Sequence, residues 1–211
     1  MIPEQEATTD LKTRIIDHAF SLIRTSGFSH VSVEEISSGL GISKKTFYKY
    51  FDSKEDLLHQ IVNRLVGETE LLLHSIVDRD EPFVAKLHAL TTAISQQFRK
   101  FGTFLIRDVQ VHSPQSWKYV EEFRRKKILT VWGGIIEQGK REGYIRTEIN
   151  SRLLLLSLLG VIESVVNPST LSNESFSADE ALQGIIIMLF RGVLTEDAVS
   201  QLEYLNLTQQ P

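Results

Sequence analysis

SVEEISSGLGISKKTFYKYFDSKEDLL, residues 32–58, decides the fold. Ser32 and Glu35 have the spacing of a capping box, so a helix should start at Val33. Ile36 and Leu40 then share its inner face. Gly39 and Gly41 should end it, with Ile42 dropping towards the core as the turn residue. Ser43 can cap a second helix over 44–50. Ser53 and Asp56 repeat the capping pattern and start a third helix at Lys54. Two short helices about a tight glycine turn form a helix-turn-helix. On the second helix, Lys44, Lys45, Tyr48 and Lys49 face outwards, while Phe47 and Phe51 face inwards. A basic, aromatic outer face over an apolar inner one suits a helix laid in a DNA major groove. Lys44, Lys45 and Tyr48 are the expected base readers. Ser32, Thr46, Lys49, Tyr50 and Lys54 are the expected phosphate neighbours, Lys54 beside the free N–H groups of a helix start.

This stretch resembles the N-terminal domain of the TetR family of transcriptional regulators. The matching signals are a leading helix ending at Gly27-Phe28, then SVEEIS, GISKKTFYKYF and SKEDLL, and they cover residues 11–65. A weaker likeness continues through IIEQGKREGYIRTEINSRLLLLSLLGVIESVV, residues 135–166, which looks like the helices before and within that family's dimerisation region. The resemblance implies an all-α chain, with a helix-turn-helix domain over residues 1–53 and a ligand-binding and dimerisation domain over 54–211. One departure is the N-terminal arm, where Glu4, Glu6 and Asp10 are acidic. A basic arm tracking the minor groove is not expected here.

The 211 residues carry a formal net charge of −4, which runs against a DNA partner taken alone. The first 53 residues hold six Lys or Arg and seven Asp or Glu, so even that domain is near neutral. Phosphate contact depends on the local patch, and residues 43–54 set four lysines against Asp52. With no cysteine, disulfides and thiolate metal sites are excluded, and a reducing cytoplasm suits the chain. Six histidines, at 18, 30, 59, 74, 88 and 112, show no metal-ligand spacing. No metal and no cofactor is expected. The most apolar run, 153–166, is too short to span a bilayer.

Helical periodicity dominates the remainder. Helices are expected over 10–26, 54–77, 83–98, 102–112, about 115–141, 151–166 and 178–194, with a polar loop over 169–177 and a short last helix after Thr195. The basic run Arg124-Arg125-Lys126-Lys127 is expected to be a solvated face. The helix over 151–166 is apolar almost all round, and Ile185, Ile186, Ile187, Leu189 and Phe190 give the last long helix the same excess. A helix apolar on every side needs cover on every side. Pairing these two helices with their symmetry mates gives a homodimer through a four-helix interface.

No glycine-rich phosphate loop, Gly-x-Ser-x-Gly or His-Glu-x-x-His is present, so the chain is not expected to be an enzyme. A small helical hydrolase or lyase would need two convergent titratable groups, and the sequence offers none. His88, Phe98, Phe104, His112, Trp117 and Trp132 fall on helices between which the TetR family holds a small-molecule pocket. Taken singly, each reads as ordinary core before it reads as a ligand contact. Glu163, on an apolar helix, reads either as a trapped carboxylate facing a polar ligand or as one bonded to a neighbour. The expected function is a dimeric, ligand-responsive repressor released from a double-stranded operator by a small-molecule effector. The alternative is the same fold controlled by a protein partner.

Overall fold

The computed structural model describes residues 4–208, and the side chains of residues 10–100, 105–203. The fold is all-α. The chain forms two compact units, Met1–Gly67 with Phe101–Val120, and Glu68–Lys100 with Glu121–Pro211. It passes between them inside three helices: α4 (Lys54–Val77), α5 (Phe83–His112) and α6 (Pro114–Lys127).

The first unit begins with α1 (Glu4–Ser26), followed by α2 (Val33–Gly39) and α3 (Lys44–Phe47). Its interior contains Ile15, Ala19 and Ile23 of α1, Ile36 of α2, Phe47 and Phe51, and Leu57, Leu58 and Ile61 of α4. α1 starts ahead of the expected residue 10, and the acidic side chains of Glu4 and Glu6 lie outside the described residues.

In the second unit, α6 runs through a π-helical turn, Ile128–Trp132, into α7 (Gly133–Arg141). Ile128, Val131 and Trp132 of this turn are buried, at the i, i+3 and i+4 spacing of one helix face. Then follow α8 (Ser151–Val165), α9 (Pro168–Leu171), α10 (Ala178–Arg191) and α11 (Glu196–Thr208). The core of this unit joins Phe83, Leu87 and Leu90 of α5, Trp132, Ile135 and Ile136, the α8 residues Leu154, Leu155, Leu158, Leu159 and Ile162, and Leu182, Ile185, Ile186 and Phe190 of α10. Ser177 and Glu180 form the expected capping box at the start of α10. α9 occupies part of the expected polar loop, with Asn167 as its cap and Pro168 in its first turn.

Three expectations are corrected. α5 is one helix with no break between 98 and 102. An internal glycine costs a helix only about 1 kcal/mol, and Leu87, Leu90, Leu105 and Val109 are buried along its length. The division expected after residue 53 falls inside the first unit, which continues to Gly67 and takes back residues 101–120. Hydrogen bonds from the turn after α1 to Asp108 and His112, and from His59 to Ser116, make that segment part of the unit. The basic run is only partly solvated. Lys127 is buried against Glu70 at 2.5 Å, and Arg124 donates to the Val166 carbonyl at 3.1 Å.

Candidate nucleic-acid interface

α2 and α3 are set by local signals. Ser32 Oγ accepts from the Glu35 N–H at 3.0 Å, and Ser43 Oγ accepts from the Thr46 N–H at 3.0 Å. Between them Gly41 takes a φ of +66°, which an L side chain rarely adopts, and the Ile42 N–H returns to the Ser37 carbonyl. Gly39 is the last residue of α2 and not a breaker. A Cβ there would sit 2.2 Å from His18 Nε2, so the missing side chain lets α2 close on α1. α3 is shorter than the expected 44–50, because the chain tightens after Phe47. The Lys49 and Tyr50 N–H groups bond three residues back, to Thr46 and Phe47. The faces survive this change. Phe47 and Phe51 are buried with ring centroids 5.3 Å apart, while Lys45, Tyr48 and Lys49 are exposed.

The eight expected DNA contacts divide by what already holds them. Lys45 and Lys49 have no ion-pair or hydrogen-bond partner for their ammonium groups among the described residues. Tyr48 is 52 % exposed and rests edge-on against Phe47. Ser32 spends its lone pair on the cap and keeps its O–H to donate. The Thr46 hydroxyl lies 2.9 Å from Ser43 Oγ. Tyr50 is half-buried. Lys44 donates to Glu34 Oε2 at 2.7 Å. That hydrogen bond, and then the lysine charge, hold the Glu34 carboxyl below its ordinary range. Glu34 is a residue the sequence reading missed, because the pair joins two helices.

Lys54 is the clear correction. Its ammonium donates to the Phe28 and Val31 carbonyls, each at 2.9 Å, and sits 4.2 Å from the centroid of the Phe28 ring. It closes the turn after α1 and does not stand free at the start of α4.

The same turn is held from its other side. The Phe28 N–H donates to Asp108 Oδ2 at 2.6 Å, Ser29 Oγ lies 2.9 Å from His112 Nε2, and the His112 ring lies 4.9 Å from that of Phe28. His59 Nδ1 lies 2.7 Å from the buried Ser116 hydroxyl. His112, expected in an effector pocket, thus belongs to the support of the helix-turn-helix.

Residues 15–61, which contain this motif, match the family model for bacterial regulatory proteins of the tetR family. Along most of the chain, the HTH-type transcriptional regulator YvaF of Bacillus subtilis is 24% identical over 185 residues, covering 87% of this chain and 96% of its own. Residues 15–61 are a tetR-family helix-turn-helix domain. A TetR/AcrR-family transcriptional regulator from Thermobifida fusca has the same fold at a TM-score of 0.64 and 25% identity, covering 87% of this chain and 98% of that one. The HTH-type transcriptional repressor KstR2 of Rhodococcus jostii is 24% identical over 146 residues, covering 67% of this chain and 71% of its own. With that domain and these relatives, the chain is a DNA-binding transcriptional regulator.

The expected effector residues are divided between the two units. His112 and Trp117 fall in the first unit, and His88, Phe98, Trp132 and Glu163 in the second. The Phe104 side chain lies outside the described residues. Trp132 is buried core, its ring 5.4 Å from Phe190, and Phe98 is partly buried against the same cluster. Glu163 is not trapped: its side chain is 35% exposed and takes Arg125 Nη2 at 3.0 and 3.3 Å. Its neighbour comes from α6, and α8 alone could not reveal it. His88 lines a pocket of about 540 Å³ with residues of α10 and α11. Among the described residues no helix is long and apolar enough to cross a membrane, and no cluster of His, Asp or Glu could hold a metal.

Proposed function

We propose that the chain is a repressor that binds a pseudo-palindromic operator as a homodimer and leaves it when a small-molecule effector binds the second unit. The observation that carries the reading is the outward face of α3, where Lys45, Tyr48 and Lys49 are exposed over the buried Phe47 and Phe51. Lys45 and Tyr48 read bases, joined by Lys44 when it leaves Glu34, and Lys49, Ser32, Thr46 and Tyr50 lie along phosphates. The Rhodococcus jostii relative KstR2, a transcriptional repressor, supports that direction of control.

Dimerisation follows from apolar surface that the protomer leaves open. Leu153 and Leu156 of α8 are 65% and 46% exposed, and Met188 of α10 is 67% exposed. Added Cβ atoms at Gly160 and Gly184 would meet nothing, so both helices also offer flat places for a partner. Two helix-turn-helix units related by a two-fold axis read half-sites about one or two duplex turns apart. For control, an effector that prefers the non-binding state by ~2.7 kcal/mol shifts occupancy about a hundredfold.

The test is selection of bound duplexes from a random pool, with sedimentation of the free protein. Enrichment of an inverted repeat by a dimer is the expected result. An unenriched pool, or a monomer at micromolar concentration, contradicts the reading.

A further inference from the structure

Neither the outward face of α3 nor the open apolar surface of α8 and α10 accounts for the pocket in the second unit. Its walls come from α5, α10 and α11 of one protomer, so no second copy is needed to complete it. Leu87, Ile186, Ile187, Phe190, Leu194 and Leu202 supply the apolar lining. Its volume of about 540 Å³ lies within the range of sites that hold drug-sized molecules.

We propose that this pocket binds an uncharged, mainly apolar small molecule that carries one hydrogen-bonding oxygen. The charge on the walls sets the first half of that description. The lining contains Arg191 and Glu203, and these pair with each other, Nη2 to Oε1 at 3.1 Å. Neither an anion nor a cation therefore meets an unopposed counter-charge, and a charge taken from water to apolar walls without one is costly. The hydrogen-bonding groups set the second half. One N–H of the Gln183 amide goes to Ser95 Oγ at 2.5 Å, and the Thr91 hydroxyl donates to the His88 carbonyl at 2.9 Å. The His88 imidazole has no hydrogen-bond partner among the described residues. A neutral imidazole offers one donor and one acceptor, which suits a hydroxyl or carbonyl oxygen. The apolar body lies along α10, beside Phe190. This site differs from the aromatic group expected on α5 to α7, of which only His88 takes part. Binding here does not depend on the DNA-binding reading.

Phe190 also supplies the readout, because its ring lies 5.4 Å from Trp132. In the full chain carrying Trp117→Phe, Trp132 is the sole tryptophan. That protein is titrated with decanol, decanoate and decylamine at about pH 8, above the ordinary imidazole range. Decanol should give a saturable change in Trp132 fluorescence, with both charged congeners at least about tenfold weaker. His88→Leu should weaken decanol. Ile187→Glu, at a position 56% exposed, should abolish decanol binding with helicity retained. If that variant fails to fold, Thr92→Phe, at another exposed wall position, tests the same point by filling the pocket. No saturable signal, equal binding of all three head groups, preference for a charged one, or unchanged decanol affinity in the folded wall variants would overturn the assignment.

Discussion

The backbone N–H of Phe28 donates to Oδ2 of Asp108 at 2.6 Å, across 80 residues of sequence. The bond ties the turn after α1 to the last part of α5, within the unit that carries the helix-turn-helix. Lys54 holds the same turn by two carbonyls, so the turn is fixed from both sides. Asp108→Ala leaves a part-buried N–H without its acceptor, which costs about 1–3 kcal/mol. Chemical denaturation should show that loss, and operator affinity should fall for all sequences alike. Asp108→Asn, whose amide oxygen can still accept, should fall between. Wild-type stability in the alanine variant would show that the bond contributes nothing.

Lys49 and Lys54 should now separate, although the sequence places both near phosphate. Lys49→Ala should lower the salt dependence of DNA binding by about 1 per subunit with little change in stability. Lys54→Ala should do the reverse, lowering stability by about 1–3 kcal/mol as two carbonyls lose a charged donor. Titration of binding against salt, beside denaturation of each variant, distinguishes them. A reduced salt slope with full stability in the Lys54 variant would restore it as a phosphate contact.

On the proposed reading, Glu34 and DNA compete for Lys44. Its carboxyl is held below its ordinary range by the lysine hydrogen bond and then by the lysine charge. A depressed carboxyl contributes its stabilisation above the ordinary Glu range and loses it as pH falls through the folded-state value. The pair is therefore intact at neutral pH, and an exposed pair of this kind adds little to stability. Glu34→Gln should free Lys44, tighten DNA binding and steepen its salt dependence, with stability near wild type. Weaker binding in this variant would contradict the competition.

The dimer is tested by charges on open surface. Leu156→Glu and Met188→Glu should give folded monomers in sedimentation, because both side chains are exposed in the protomer. Leu158 and Ile186 are poor probes of the interface, since each is buried in its own protomer's core. Leu158→Ala should instead cost about 2–5 kcal/mol of stability. A wild-type dimer in both glutamate variants would place the interface elsewhere.

What could be read from the sequence was local. Ser32 with Glu35, Ser43 with Thr46 and Ser177 with Glu180 act within three residues, so the starts of α2, α3 and α10 were legible. The inward Phe47 and Phe51 and outward Lys45 and Tyr48 followed from helical spacing. The illegible features need a partner from elsewhere in the chain. The carbonyls that hold Lys54 are 26 and 23 residues away, and nothing near Lys54 announces them. Glu163 looked trapped because α8 is apolar, but its exposure and charge partner are set by α6. The gap expected between 98 and 102 is absent because α5 is carried through by packing at Leu90 and Leu105, which lies outside the local pattern. The pocket beside His88 depends on where α11 lies against α5 and α10, which periodicity does not encode.

The central claim is that the outward face of α3 reads DNA sequence. The most direct measurement is fluorescence anisotropy of the duplex obtained by selection and of a scrambled duplex, at one salt concentration, for the wild-type chain, Lys45→Ala and Tyr48→Ala. Each lost base contact should reduce the ratio of specific to nonspecific affinity by about 1–3 kcal/mol, or roughly five- to 150-fold, with little change in binding to the scrambled duplex. Both variants retaining the wild-type ratio would contradict the account.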